Sequence, residues 1–158
     1  MKNAVALTSM IILCGILFAC KKSNGPATAV PSSSFSFLAN DTLISFPVNQ
    51  AFIQDVTTLQ TTMISGQYAD TSTRQGSISI RLIGDTTGRY SGDSLLVTYV
   101  NAAGNVYYNT SDNSNFVQVD RFAKVYNGVV SGSFSLKVTG SAGSIQFSNG
   151  VFTALYQD

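Results

Sequence analysis

From residue 35 onward, apolar residues come in short runs of period two, cut by Gly, Asn, Asp and Ser, a rhythm that predicts strands rather than helices. In residues 76–83, Ile78, Ile80 and Leu82 alternate with Ser77, Ser79 and Arg81, giving one apolar and one polar face. Phe35, Phe37 and Ala39 alternate with Ser36 and Leu38, and Asn40-Asp41 then turns the chain into residues 42–46. Residues 95–100 and 106–108 flank a loop rich in Asn and Gly, which accept positive φ, and form a second predicted hairpin. A third joins residues 122–126 to 129–138 through Asn127-Gly128, the pair preferred in a type I′ turn. There Phe134, Leu136 and Val138 share a face, and Gly132 marks a bulge. A fourth joins residues 144–148 to 151–156 through Asn149-Gly150, and its last strand is apolar on both faces, as if covered on both sides. Residues 51–63 show no clear period and are where a helical turn is most expected.

About nine or ten short strands in one domain, residues 35–158, predict an all-β antiparallel sandwich, with a closed or partly open β-barrel as the alternative. The uneven strand lengths favour the sandwich, because a barrel demands a consistent stagger around its circumference.

The pattern before residue 35 is different. Met1-Lys2-Asn3 is a short basic start, and residues 4–19 form an uncharged, mostly apolar run that ends at Cys20. Lys21-Lys22 stops the run short of the ~20 apolar residues a membrane-spanning helix needs, so residues 1–19 are expected to be a cleaved signal peptide. Residues 21–34 are polar, contain Gly25, Pro26 and Pro31, and are expected to act as a flexible tether with an average reach on the order of 20 Å.

Leu17-Phe18-Ala19-Cys20 resembles the lipobox of bacterial lipoproteins, with Leu17, Phe18 and Ala19 as the peptidase recognition residues and Cys20 as the lipidation site. Phe18 departs from the strictest form of that motif, but the small Ala19 still gives the peptidase access and the Cys20 thiol is the nucleophile an acyl donor requires. Cys14 would leave with the signal, so the mature chain would hold no disulfide. Two or three acyl chains, at about 0.8 kcal/mol per buried CH₂, would make attachment effectively permanent. The residue after Cys20 is Lys21 rather than Asp, and no acidic cluster follows, which by the same resemblance implies the periplasmic face of the outer membrane. Residues 129–136 and 143–152, with a Gly-x-Phe strand followed by Asn-Gly-x-Phe, resemble the C-terminal pattern of small Bacteroidetes lipoproteins of unknown function, a resemblance that implies no particular activity.

Composition narrows the chemistry. The 158 residues include nine Lys and Arg against eight acidic residues, all Asp, and no basic patch, which excludes a nucleic-acid surface. The absence of His closes Ser-His-Asp and Cys-His catalysis and His-based zinc sites within this chain. Asp85-Thr86-Thr87-Gly88 is one residue too long for an aspartic-protease motif and is expected to be a turn in which Asp85 caps its own backbone. Asp112-Asn113-Ser114-Asn115 has spacing that calcium accepts but lacks the rest of an EF-hand, so a solvated loop is expected and no metal or cofactor is assigned. Thr42, Thr86 and Ser94 sit in Asp-Ser/Thr-x triplets that resemble the O-glycosylation sequon of Bacteroidetes envelope proteins. Tyr90, Tyr99, Tyr107 and Tyr108 are a candidate stacking face for sugars, but sugar platforms usually include Trp and strand tyrosines more often pack half-buried, so core or rim packing is the preferred reading.

These features point to a non-catalytic, lipid-anchored envelope protein that binds an envelope protein or glycan. A small lipid carrier with a barrel cavity is the alternative, and an Asp-dependent glycoside hydrolase a distant third. Mass spectrometry of the mature amino terminus should find an acylated Cys20; an unmodified terminus, or a retained signal segment, would refute the anchoring expectation.

Overall fold

A strand whose every second side chain is apolar must lay that face on something, and here the strands lay theirs on one another. The computed structural model describes residues 32–46, 48–56, 59–67 and 76–157, with the backbone alone described at 48–56 and 59. Among these are β1 (Ser34–Ala39), β2 (Thr42–Phe46), β3 (Val48–Val56), β4 (Leu59–Gln67), β5 (Ser77–Ile83) and β6 (Gly88–Ser91). After a short 3-10 turn (Gly92–Ser94) come β7 (Leu95–Val100), β8 (Val106–Asn109), β9 (Phe116–Phe122), β10 (Val129–Gly140) and β11 (Gly143–Gln157).

The domain is all-β and mainly antiparallel, as the alternation predicts. The expected two stacked sheets are corrected in one respect: all eleven strands join one sheet, in the order β2-β1-β11-β3-β4-β5-β7-β8-β10-β9-β6. A further pairing of β10 with β11 ties together strands that are distant in that order, so the sheet curls strongly into a half-barrel, the partly open form of the alternative. The long β10–β11 hairpin is the seam. Along its outer edge β10 pairs first with β9 and then with β8, while β11 pairs first with β1 and then, in parallel, with β3.

The seam works because β11 does not turn at Asn149-Gly150. The expected fourth hairpin is absent; β11 runs straight through, and the hairpin turn lies at Ser141-Ala142, between the paired Gly140 and Gly143. Asn149 has a φ of 52° and is the extra residue of a bulge, where the pairing with both β1 and β10 shifts register. A local positive φ serves a bulge as well as a turn, which is why the motif misleads. The bulge also explains the two apolar faces of this segment: inward positions change from Phe147 before it to Phe152, Ala154 and Tyr156 after it, leaving Val151 outside. Gly150 is buried against the ring of Phe134 on β10, and a Cβ there would lie 2.4 Å from that ring.

Two further expectations change. At Asn127-Gly128 only Asn127 has positive φ, at 58°, so the link is not a type I′ turn; β9 ends at Phe122 and a six-residue connection, 123–128, leads to β10. The two-residue turn with positive φ at both positions is Asn40-Asp41, at 45° and 66°, with Ala39 paired to Thr42. Among the described residues of 51–63 there is no helical turn, because β3 and β4 pair antiparallel from Val48 with Gln67 to Val56 with Leu59.

The core lies inside the curl. Phe35 and Phe37 of β1, Phe46 of β2, Phe134 of β10 and Phe147 and Phe152 of β11 are buried together, with Phe37 and Phe147 centroids 4.4 Å apart. Ile64, Ile78, Ile80, Leu82, Leu95 and Val97 pack from the β4-β5-β7 wall. Gly150→Ala should cost about 1–3 kcal/mol by overpacking against Phe134. Adding Phe134→Leu should recover part of that loss, so a double-mutant cycle by urea melts should be less than additive; strict additivity would contradict the close approach.

Candidate functional site

Leu17, Phe18, Ala19 and Cys20 lie outside the described residues. Of the four tyrosines, Tyr90, Tyr99 and Tyr107 are in the core and only Tyr108 reaches solvent, so they form no sugar-stacking face. The alternation places them: Tyr99 shares the inward phase of Leu95 and Val97 on β7, and Tyr107 lies opposite Tyr99 on β8. Tyr90 is anchored by its hydroxyl, which donates to the Thr86 carbonyl at 2.8 Å and accepts from the Thr86 N–H at 3.2 Å. Thr42 and Thr86 are exposed, whereas the Ser94 hydroxyl donates to the Ser91 carbonyl at 2.8 Å and accepts its N–H at 3.1 Å. Asp85 does not cap its own turn; its carboxylate pairs with Lys124 across the sheet.

A surface that the sequence reading did not single out stands on the outer side of the β4-β5-β7-β8 wall. Arg81 of β5 lies between Met63 of β4 and Leu96 of β7, and Thr98 of β7 lies between Ser79 and Tyr108. Together they line a half-open groove of about 340 Å³. Leu96 is 50% exposed and Tyr108 58% exposed, diagonal to each other on a face that also carries Met63, Ser79, Arg81 and Thr98. The available signal was Leu95-Leu96: in a strict alternation one of two adjacent leucines must face outward.

Asn109 closes one side of the groove, and a second asparagine, Asn115, plays the same part on β10. Beyond the Thr98–Tyr108 pair β8 leaves β7, and the Asn109 side chain continues the ladder in its place. It accepts the Val97 N–H at 2.7 Å and donates to the Leu95 carbonyl at 2.9 Å. Beyond Val138, β10 likewise loses β8, and buried Asn115 accepts the Lys137 N–H at 2.6 Å while donating to the Thr110 carbonyl at 3.0 Å. Each amide stands in for a strand's backbone, as unsatisfied main-chain groups require.

The loop leading into Asn115 is a polar turn. Asp112 accepts the Ser114 N–H at 2.8 Å, and chiefly this backbone hydrogen bond holds its carboxyl below the ordinary value. Because the folded value is depressed, the turn gains from ionised Asp112 at neutral pH and loses that support as pH falls through the lowered value. Among the described residues no group of three or more His, Cys, Asp or Glu is placed to hold a metal. The arrangement offers an apolar-rimmed groove with one guanidinium, that of Arg81.

No family model, no curated protein and no solved structure matches this chain.

Asn115→Ala should cost about 1–3 kcal/mol by stranding the Lys137 N–H and the Thr110 carbonyl. Asn115→Asp should cost more, since it sets a buried charge against that carbonyl. Chemical denaturation of both variants checks the order.

Proposed function

We propose that this chain is a non-catalytic, lipid-anchored protein of the cell envelope, held at the periplasmic face of the outer membrane, whose β domain binds another envelope component through the outer groove. The amino-terminal pattern ending at Cys20 supports the anchor, and Lys21 supports the membrane face. The observation that carries the binding reading is the exposure of Leu96 and Tyr108 together beside Arg81, on a wall where Asn109 holds the backbone of β7. Apolar side chains kept in water beside a fixed charge suit a partner that covers them.

The interior favours this over a carrier. Six phenylalanines and the aliphatic residues of the β4-β5-β7 wall occupy the inside of the curl, where a carrier would need space for its ligand. The hydrolase reading gains no support from Asp85, whose carboxylate is engaged by Lys124.

Photo-crosslinking in intact cells tests the groove. A crosslinking residue in place of Leu96 should give a discrete adduct that Tyr108→Ala weakens, while the same residue in place of Leu43, which is more exposed, gives none. Equal labelling from both positions would remove the groove from the reading.

A further inference from the structure

The 123–128 connection between β9 and β10 holds two adjacent apolar side chains in water: Val125 is 63% exposed and Tyr126 66% exposed. The loop is not loose. Gly128 donates to the Val125 carbonyl at 2.6 Å, Ala123 donates to the Val129 carbonyl at 3.0 Å, and Asn127 donates to the Tyr156 carbonyl at 2.9 Å. Tyr156 in turn donates to the Gly128 carbonyl at 2.7 Å, and the Gln157 amide reaches the Asn127 side chain at 3.2 Å. Gly128 itself admits no side chain, since a Cβ would lie 2.2 Å from the Ala123 carbonyl oxygen. So the backbone is fixed on both sides, and Val125 and Tyr126 are presented on a firm tip instead of folding back onto the core.

The register says where this tip stands. Val129 pairs with Leu155 at the open end of the β10–β11 hairpin, and Ser34, the first residue of β1, pairs with Thr153 close by. The chain therefore enters the domain at the same end that carries the Val125-Tyr126 tip. The Asn40-Asp41 turn, with Leu43 beside it, lies toward the other end, where Asn40 bonds Gln146 near the closed turn of the hairpin. Ser34 follows Cys20 by only fourteen positions, a span of at most roughly 45–50 Å when fully drawn out.

We infer that Val125 and Tyr126 dock into the bilayer to which Cys20 is attached, setting the entry end of the domain on the membrane and the Asn40-Asp41 end away from it. The inference rests on the proposed anchoring at Cys20. A tether that short raises the local concentration of lipid at the entry end, so a small apolar contact is enough to bias orientation. Tyr suits the headgroup region, with a ring for the acyl boundary and a hydroxyl for water. Charge does not drive the contact: among the described residues here Arg121 and Lys124 are offset by Asp85 and Asp120, and Lys124 is already paired with Asp85. Docking should therefore occur on neutral as well as anionic lipid.

The chain has no Trp, so a single introduced one reports without background. The full chain, purified from membranes and checked for acylation at Cys20 by mass spectrometry, is reconstituted in phosphatidylcholine vesicles. The Tyr126→Trp variant should emit to the blue of its detergent-free aqueous value and be quenched by brominated acyl chains, and Leu43→Trp should show neither effect. Adding Val125→Asp to the Tyr126→Trp variant should return its emission toward the aqueous value. Acylated protein whose Tyr126→Trp reporter stays aqueous and unquenched overturns the docking alone. An unmodified Cys20 overturns the anchoring, and the docking with it.

Discussion

The pairing of β10 with β11 is the constraint on which the rest of the domain depends. Every N–H and C=O of a buried strand needs a partner, and these two strands are long enough to take a second set of partners on their outer edges. Each changes neighbour along its length, β10 from β9 to β8 and β11 from β1 to β3, and one continuous sheet is thereby forced to curl around its own core. The Asn149 bulge makes this possible for β11, because a single extra residue exchanges the faces and keeps Phe147 and Phe152 both inside. Phe134 fills the space that Gly150 leaves, so bulge and core specify each other.

Changing neighbours leaves strand edges without partners, and the molecule answers with side chains. Asn109 and Asn115 extend the ladders of β7 and β10 where β8 has left them. The ends of the sheet order are closed off more simply, by the short strands β2 and β6, which offer little edge for another chain to pair with. The groove on the outer wall inherits its rigidity from this arrangement: Leu96, Arg81 and Tyr108 stand on paired strands and not on loops.

Alternation carried most of what the sequence disclosed. β5 follows it from Ser77 to Ile83 and was legible residue by residue, as were β1, β2 and the Asn40-Asp41 turn between them. The two Asn-Gly pairs were misleading because positive φ is a local property, whereas the choice between turn and bulge depends on what lies opposite: Phe134 for Gly150, and the Ala123 carbonyl for Gly128. The curl itself was not legible, since the β11–β3 and β10–β8 pairings join segments far apart in sequence. Of the candidate site, the inward phase of Tyr99 was present in the alternation it shares with Leu95 and Val97, in keeping with packing as the preferred reading of the tyrosines. The asparagine ladders left no local sign, because an Asn that satisfies a distant strand looks the same as one in a solvated loop. The proposed anchor is the reverse case, read only from a linear motif around Cys20.

The curl depends on the continuity of β11 through Asn149-Gly150, and NMR contacts test it directly. With the strand continuous, one spectrum should contain cross-strand contacts from Gly150 to Phe134 and from Val151 to Ser36, the two sides of the same strand. A contact between Ser148 and Val151 across a two-residue turn, with those two missing, would contradict it.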